Sequence, residues 1–255
     1  MTLHVERGFG ESLVLIPPLG GSAESFAAQL PEFARDYRTV AVTLTGNGDA
    51  AALDPDTPDI IGTHAREIAD LLAELQIRRA HVVGVGYGGA VAQRFAIDHP
   101  ASVRRLVLCD TWGDTTTRTV IEKALALAIK SSSLAYRALP RSVLAAATLN
   151  SYVRWPAAGR ILAAQMRTAR IPELRAQFKA YTSIKHSPEL RTLTCPTLCL
   201  AGDAAPWLVT LGKRLAMTIP DARLEVLKNS FEPSHLCQPA LFNEAVRRFL
   251  GRPAT

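Results

Sequence analysis

Residues 80–97 constrain the fold more than any other stretch of this chain. Ala80-His81-Val82-Val83-Gly84 is a short apolar run with β-branched residues, the composition of a buried strand. It passes through Val85 and Gly86 straight into a stretch, Tyr87 to about Ile97, that reads as a helix. A strand that hands over to a helix across a glycine turn belongs to a sheet with helices on its faces. The same alternation surrounds it. Residues 12–17 and 39–43 read as strands by their β-branched content, and residues 64–75 carry Ile68, Leu71, Leu72 and Leu75 at helical spacing. A strand follows at 104–109. Later come a strand at 196–201, a helix around 208–217, a strand at 223–227 and a last helix at 239–250. Such alternation implies an α/β class, a mostly parallel sheet of about eight strands covered on both faces.

Residues 113–190 have a different character. They are rich in Ala, Leu and Arg, with apolar residues at helical spacing and breaks at Pro140, Pro156 and Pro172. This predicts a helical cap inserted into a core built from residues 1–112 and 191–255, within the reach of one large domain in 255 residues. A hydrophobic share of 48% and a charged share of 20% place the chain among soluble globular proteins. The start, Met1-Thr2-Leu3-His4-Val5-Glu6-Arg7, lacks the basic and apolar segments of a signal peptide, and no stretch approaches the length of a membrane span. A cytoplasmic protein with no membrane partner is expected. Cys195 and Cys199 lie on one face of a predicted buried strand and read as core packing, not as a metal or redox pair.

The net charge of +6 is uneven, since residues 113–190 hold twelve Lys or Arg against four Asp or Glu. A basic segment beside a pocket favours an anionic small molecule, whether carboxylate, enolate or coenzyme A phosphate, or an acidic carrier protein. No Lys/Arg-rich run of five occurs, which argues against nucleic acid.

Together these segments resemble the α/β-hydrolase superfamily over nearly the whole chain. Gly84-Val85-Gly86-Tyr87-Gly88 is similar to the nucleophile elbow G-x-S-x-G, whose middle residue is a serine, cysteine or aspartate on a strained turn. Gly86 stands there, so the resemblance implies a vacant nucleophile position. Leu15-Ile16-Pro17-Pro18-Leu19-Gly20-Gly21-Ser22 resembles the oxyanion loop, and Thr43-Leu44-Thr45-Gly46-Asn47-Gly48 stands where such proteins often have D-x-R-G-x-G. In Gly202-Asp203-Ala204-Ala205 the usual acid position is Ala205. Ser234-His235, followed by Gln238-Pro239 and Phe242-Asn243, resembles the histidine loop and last helix, making His235 the triad member in its expected place. Haloalkane dehalogenases and some other relatives carry the acid at the end of the sixth strand, where this chain has Asp110. The resemblance thus implies an Asp110–His235 pair, with Asp203 as the rival acid. It also implies an oxyanion hole of the Leu19 and Tyr87 amides, with Trp112, Tyr87 and the space at Gly86 as substrate contacts.

A base and an anion hole without a nucleophile suit non-hydrolytic chemistry. The expectation is a lyase, eliminating or cyclising enzyme in which His235 is the general base, needing neither cofactor nor metal. Its substrate would be an anionic natural-product intermediate, polyketide or lactone-like. Two alternatives stay open: hydrolysis by water that His235 activates without a covalent intermediate, and a ligand-binding protein without turnover. Gly84-x-Gly86-x-x-Gly89 also satisfies a dinucleotide fingerprint, with Asp110 about twenty residues on. That reading leaves the Leu19 and His235 loops without a role.

Overall fold

Strand β2 (Ser12–Ile16) is buried at every position, and its alternate side chains supply both faces of the sheet. Val14 and Ile16 join one core cluster with Val82, Tyr87 and Phe95, whereas Leu13 and Leu15 join another with Val83, Val107, Phe26 and Phe242. A strand apolar on both faces must be central and covered twice, as the alternation predicts. The computed structural model describes residues 2–117, 123, 127 and 138–251. Around β2 it places β1 (Leu3–Arg7), β3 (Arg38–Thr43), β4 (Ala80–Val85), β5 (Val103–Cys109), β6 (Thr197–Gly202) and β7 (Ala222–Leu227). They form one sheet in the order β1-β3-β2-β4-β5-β6-β7, with β1 antiparallel and every other pairing parallel.

The sheet thus has seven strands among the described residues, not about eight. β1 carries none of the signals used for the others. It is an edge strand that leaves Leu3 and Val5 exposed, and its alternation of apolar and polar residues is too short to stand out.

Helices α2 (Ile60–Glu74) and α3 (Tyr87–Asp98) pack on the first face, and α1 (Leu30–Phe33) on the second. α2 begins at Ile60, four residues before the start predicted at 64. Asp59 caps it, its carboxylate accepting from the Gly62 amide at 2.9 Å, which satisfies a first-turn donor.

Between β5 and β6 the described residues carry α4 (Arg141–Ser151), α5 (Pro156–Thr168), α6 (Ile171–Tyr181) and α7 (Ser187–Leu190). Residues 118–122, 124–126 and 128–137 of the predicted insertion lie outside the described residues. Pro140, Pro156 and Pro172 mark helix starts, where proline's fixed φ fits and its missing amide is not needed. α6 is fastened to the loop after β3. Glu173 accepts from the Leu53 amide at 3.1 Å, Gln177 and Asn47 pair through their side-chain amides at 3.3 Å, and Arg170 donates to the carbonyls of Gly48 (3.0 Å) and Ala50 (2.6 Å). These bonds set how the helical segment meets the ends of the strands. The chain closes with α8 (Pro206–Thr218), α9 (Ser234–Cys237) and α10 (Pro239–Leu250). No helix among the described residues is long and apolar enough to cross a membrane.

Candidate active site

β4 ends where Gly86 caps α3 with φ 53° and ψ −117°. Positive φ is costly for a residue with a Cβ, by about 1–2 kcal/mol, and free for glycine. Gly86 is held there from both sides, donating to the Cys109 carbonyl at 2.8 Å and accepting from the Gly89 amide at 2.9 Å. Gly88 has a different reason to lack a side chain. A Cβ on it would stand 2.4 Å from the Ile16 and Pro17 carbonyl oxygens, so only glycine lets α3 press against the end of β2.

This turn leaves backbone amide donors at the start of α3. As the first residue of α3, Tyr87 has an amide without an acceptor in its own helix, at the positive end of the helix dipole. Leu19 lies in the loop after β2, and its amide donates to no backbone carbonyl among the described residues. The Tyr87 side chain, by contrast, is buried in the core. Its hydroxyl donates to His64 Nδ1 at 2.7 Å, which fixes the tautomer because His64 Nε2 donates to the Thr45 carbonyl at 3.0 Å. Burial lowers the His64 pKa, so the ring is a neutral acceptor. The Tyr87 ring meets Tyr181 edge-on at 6.0 Å and does not present the substrate surface expected of it. Trp112 stacks on Tyr181 at 4.0 Å, with Trp207 at 6.2 Å. The Trp112 indole N–H is buried and unpaired.

The expected Asp110–His235 pair does not form. Asp110 ends β5 in the left-handed region, φ 50°, a conformation aspartate tolerates better than most residues. Its carboxylate accepts from the Ser234 amide (2.6 Å), the Ser234 hydroxyl (3.0 Å), the Gly202 amide (3.1 Å) and the Cys109 thiol (3.3 Å). Burial pushes its pKa up, and the Ser234 and Gly202 donors pull against that shift.

His235 turns away, into the layer beneath the Ala23–Phe26 turn. It is fully buried, its ring 4.9 Å from Phe26 and 5.9 Å from Phe242, and neither ring nitrogen makes a hydrogen bond. Burial drives the imidazole down to about 3, the Ser25 backbone opposing that shift. The neutral ring packs between Phe26 and Phe242. Asp203, the rival acid, is exposed and accepts from the Ser230 amide at 3.2 Å.

The side chain that reaches the elbow from the loop after β7 is Glu232. Its Oε1 lies 3.4 Å from where a Cβ on Gly86 would stand, next to Pro18 Cβ at 3.6 Å. It is half-buried, and its carboxyl takes no hydrogen bond among the described residues, so it is available to a ligand. Burial, with Asp110 adding like-charge repulsion, pushes it up to about 8. Sequence reasoning missed this residue because the histidine three positions later drew the assignment. The available signal was a lone carboxylate in the otherwise uncharged stretch 229–238.

With the sheet and the strand-to-helix turn in place, the family follows: the chain belongs to the alpha/beta hydrolase family, whose model matches residues 13–238. Among curated proteins it is 30% identical over 263 residues to "Putative carbamate hydrolase RutD" of Variovorax paradoxus, covering 99% of this chain and 97% of that one. The protein of the same name from a Caulobacter species is 27% identical, over 96% of this chain and 92% of its own length. Among solved structures, a hydrolase from Pseudomonas aeruginosa superposes with a TM-score of 0.82 at 24% identity, covering 97% of this chain and 93% of that one. The enol-lactonase from Burkholderia xenovorans gives 0.81 at 21% identity, over 98% and 96%.

Proposed function

We propose that the protein is a hydrolase that cleaves a carbonyl-centred bond by direct attack of water, with Glu232 as the proton acceptor and no covalent intermediate. The observation that carries this reading is the Glu232 carboxyl 3.4 Å from the empty side-chain position of Gly86. In this reading Gly86 stands where relatives hold the nucleophile, and its missing side chain leaves room for water between the carboxyl and the substrate. The Leu19 and Tyr87 amides hold the developing oxyanion, a role that needs backbone donors only. Glu232 takes the proton of the attacking water and passes it to the leaving group. A carboxyl at about 8 has the basicity for this near neutral pH. Trp112 adds an unpaired indole donor for the substrate. The relatives' names favour hydrolysis over the elimination or cyclisation expected from the sequence, and they point to carbamates and lactones as the first substrates to assay.

Turnover in 18O-labelled water tests the reaction class. The product acid should carry solvent oxygen from the first turnover, and the quenched enzyme should show no acyl adduct by intact mass. An unlabelled product would make the enzyme a lyase or isomerase, and an adduct would require a protein nucleophile.

A second expectation concerns Gly86→Ser. The nearest atoms to a Cβ there belong to Glu232 and Pro18, at 3.4 Å or more, so the fold should survive with the about 1–2 kcal/mol strain of a positive φ. The hydroxyl would occupy the space assigned to water, lowering kcat at least about tenfold in a close-packed site. Thermal melts with steady-state assays check this, and undiminished turnover would show that the space is not used.

A further inference from the structure

Asp110 is fully buried, yet among the described residues it is paired neither with a cation nor with the histidine. Two of its four donors come from one residue, Ser234, through amide (2.6 Å) and hydroxyl (3.0 Å), and a third, Gly202, ties it to the end of β6 at 3.1 Å. Backbone amides can only donate, so the site is built for the ionised form of Asp110. Ser234 stands two residues after Glu232. The same segment is held from the far side by the Tyr152 hydroxyl, which donates to the Glu232 carbonyl.

We infer that Asp110 is the positioning residue of Glu232, gripping Ser234 so that the loop before it holds the Glu232 carboxyl over Gly86. This rests on the reading of Glu232 as proton acceptor and gives the buried aspartate the task that its expected histidine partner does not use. The grip has an electrostatic consequence. The titratable groups that act on Glu232 or feel its charge are Asp110 and Cys109 at the end of β5, Tyr181 on α6 and Cys237 on α9. Burial pushes Cys109 and Tyr181 well up and Cys237 to about 12, so these stay neutral near pH 8. His235 is neutral there as well. Asp110 is therefore the charge that Glu232 feels among the described residues. It sets where the carboxyl stands and, added to burial, tightens its hold on the proton.

The test is a titration that needs no substrate. Full-length protein labelled with 13C at the glutamate carboxyl carbon is followed by NMR against pH, the Glu232 signal being the one absent from Glu232→Gln. The wild-type signal should titrate near pH 8. In Asp110→Asn the like charge is gone and the grip weakened, so the Glu232 acid constant should rise at least about tenfold. Ser234→Ala keeps the charge and loses one bond. It should raise the constant by a smaller amount, at least about twofold, as the loosened carboxyl gains solvent. An aspartate acting through its charge alone would move this signal in Asp110→Asn but leave it unmoved in Ser234→Ala, which keeps the charge. An unchanged Glu232 midpoint in either variant overturns the inference, and Ser234→Ala alone decides if Asp110→Asn does not fold. Active Glu232→Gln enzyme would instead remove the catalytic reading while leaving the positional result intact, so the two failures are distinguishable.

Discussion

Glu232→Gln should lower kcat roughly a hundred- to ten-thousand-fold on any carbamate, ester or lactone that the protein hydrolyses, the usual worth of a positioned general base. Glutamine keeps the shape and loses the ability to take a proton, so the fold should be intact and substrate affinity little changed. For the wild type, kcat/KM should climb about tenfold per pH unit below pH 8 and level off above it, as the carboxyl ionises. A profile that levels near pH 6 or a fully active variant would remove Glu232 from the chemistry. The same substitution has a signature in stability. The folded carboxyl is pushed up to about 8, against 4.5 for a free glutamate side chain. Between those values the native state keeps a proton that the unfolded chain releases, so stability declines as pH rises through the window. The ceiling is on the order of 4 kcal/mol, and partial solvent access reduces it. Glu232→Gln should abolish this decline, measured by urea unfolding at a series of pH values.

The fold was legible because burial on both faces forces a continuous apolar composition on the central strands. Residues 12–16, 80–85, 106–109 and 197–202 all show it, and the structure places these four strands side by side. β1 was not legible, because a half-exposed edge strand needs no such composition. The start of α2 was set by one carboxylate at Asp59, a local bond that periodicity does not register. At the candidate site, the Gly86 turn was readable because glycine content and a strand-to-helix handover are backbone properties. The placement of Glu232 beside that turn was not. Glu232 and His235 are three residues apart, and which one faces the elbow depends on where the chain enters α9. That helix begins at Ser234, which Asp110 grips, leaving Glu232 in the loop above Gly86 and carrying His235 inward to Phe26. A long-range bond from β5 thus decides the outcome, and no local pattern contains it.

His235→Leu should leave turnover within about threefold of wild type while changing the pH dependence of stability, the reverse of what a catalytic base would do. The buried ring is held at about 3, against 6.5 for a free histidine side chain. Because the native state excludes a proton that the unfolded chain binds, the stability is fully present above pH 6.5 and is lost as pH falls toward 3. The loss is on the order of 4 kcal/mol for a fully buried imidazole with no hydrogen-bond partner. Leucine fills much of the same space between Phe26 and Phe242 and does not titrate, so this acid limb should vanish. Alanine would instead leave a cavity and cost roughly 2–4 kcal/mol at every pH. The two buried groups also oppose each other. Between pH 4.5 and 6.5 the His235 contribution rises with pH while that of Glu232 falls, so wild type should show a plateau there, declining above it through Glu232 and below it through His235. In His235→Leu the plateau should become a continuous gain as pH falls from 8 to 4.5. In Glu232→Gln it should become a continuous gain as pH rises to 6.5. A His235→Leu variant that lost a hundredfold in turnover while keeping the wild-type stability profile would return the histidine to the chemistry and leave the carboxyl over Gly86 without a role.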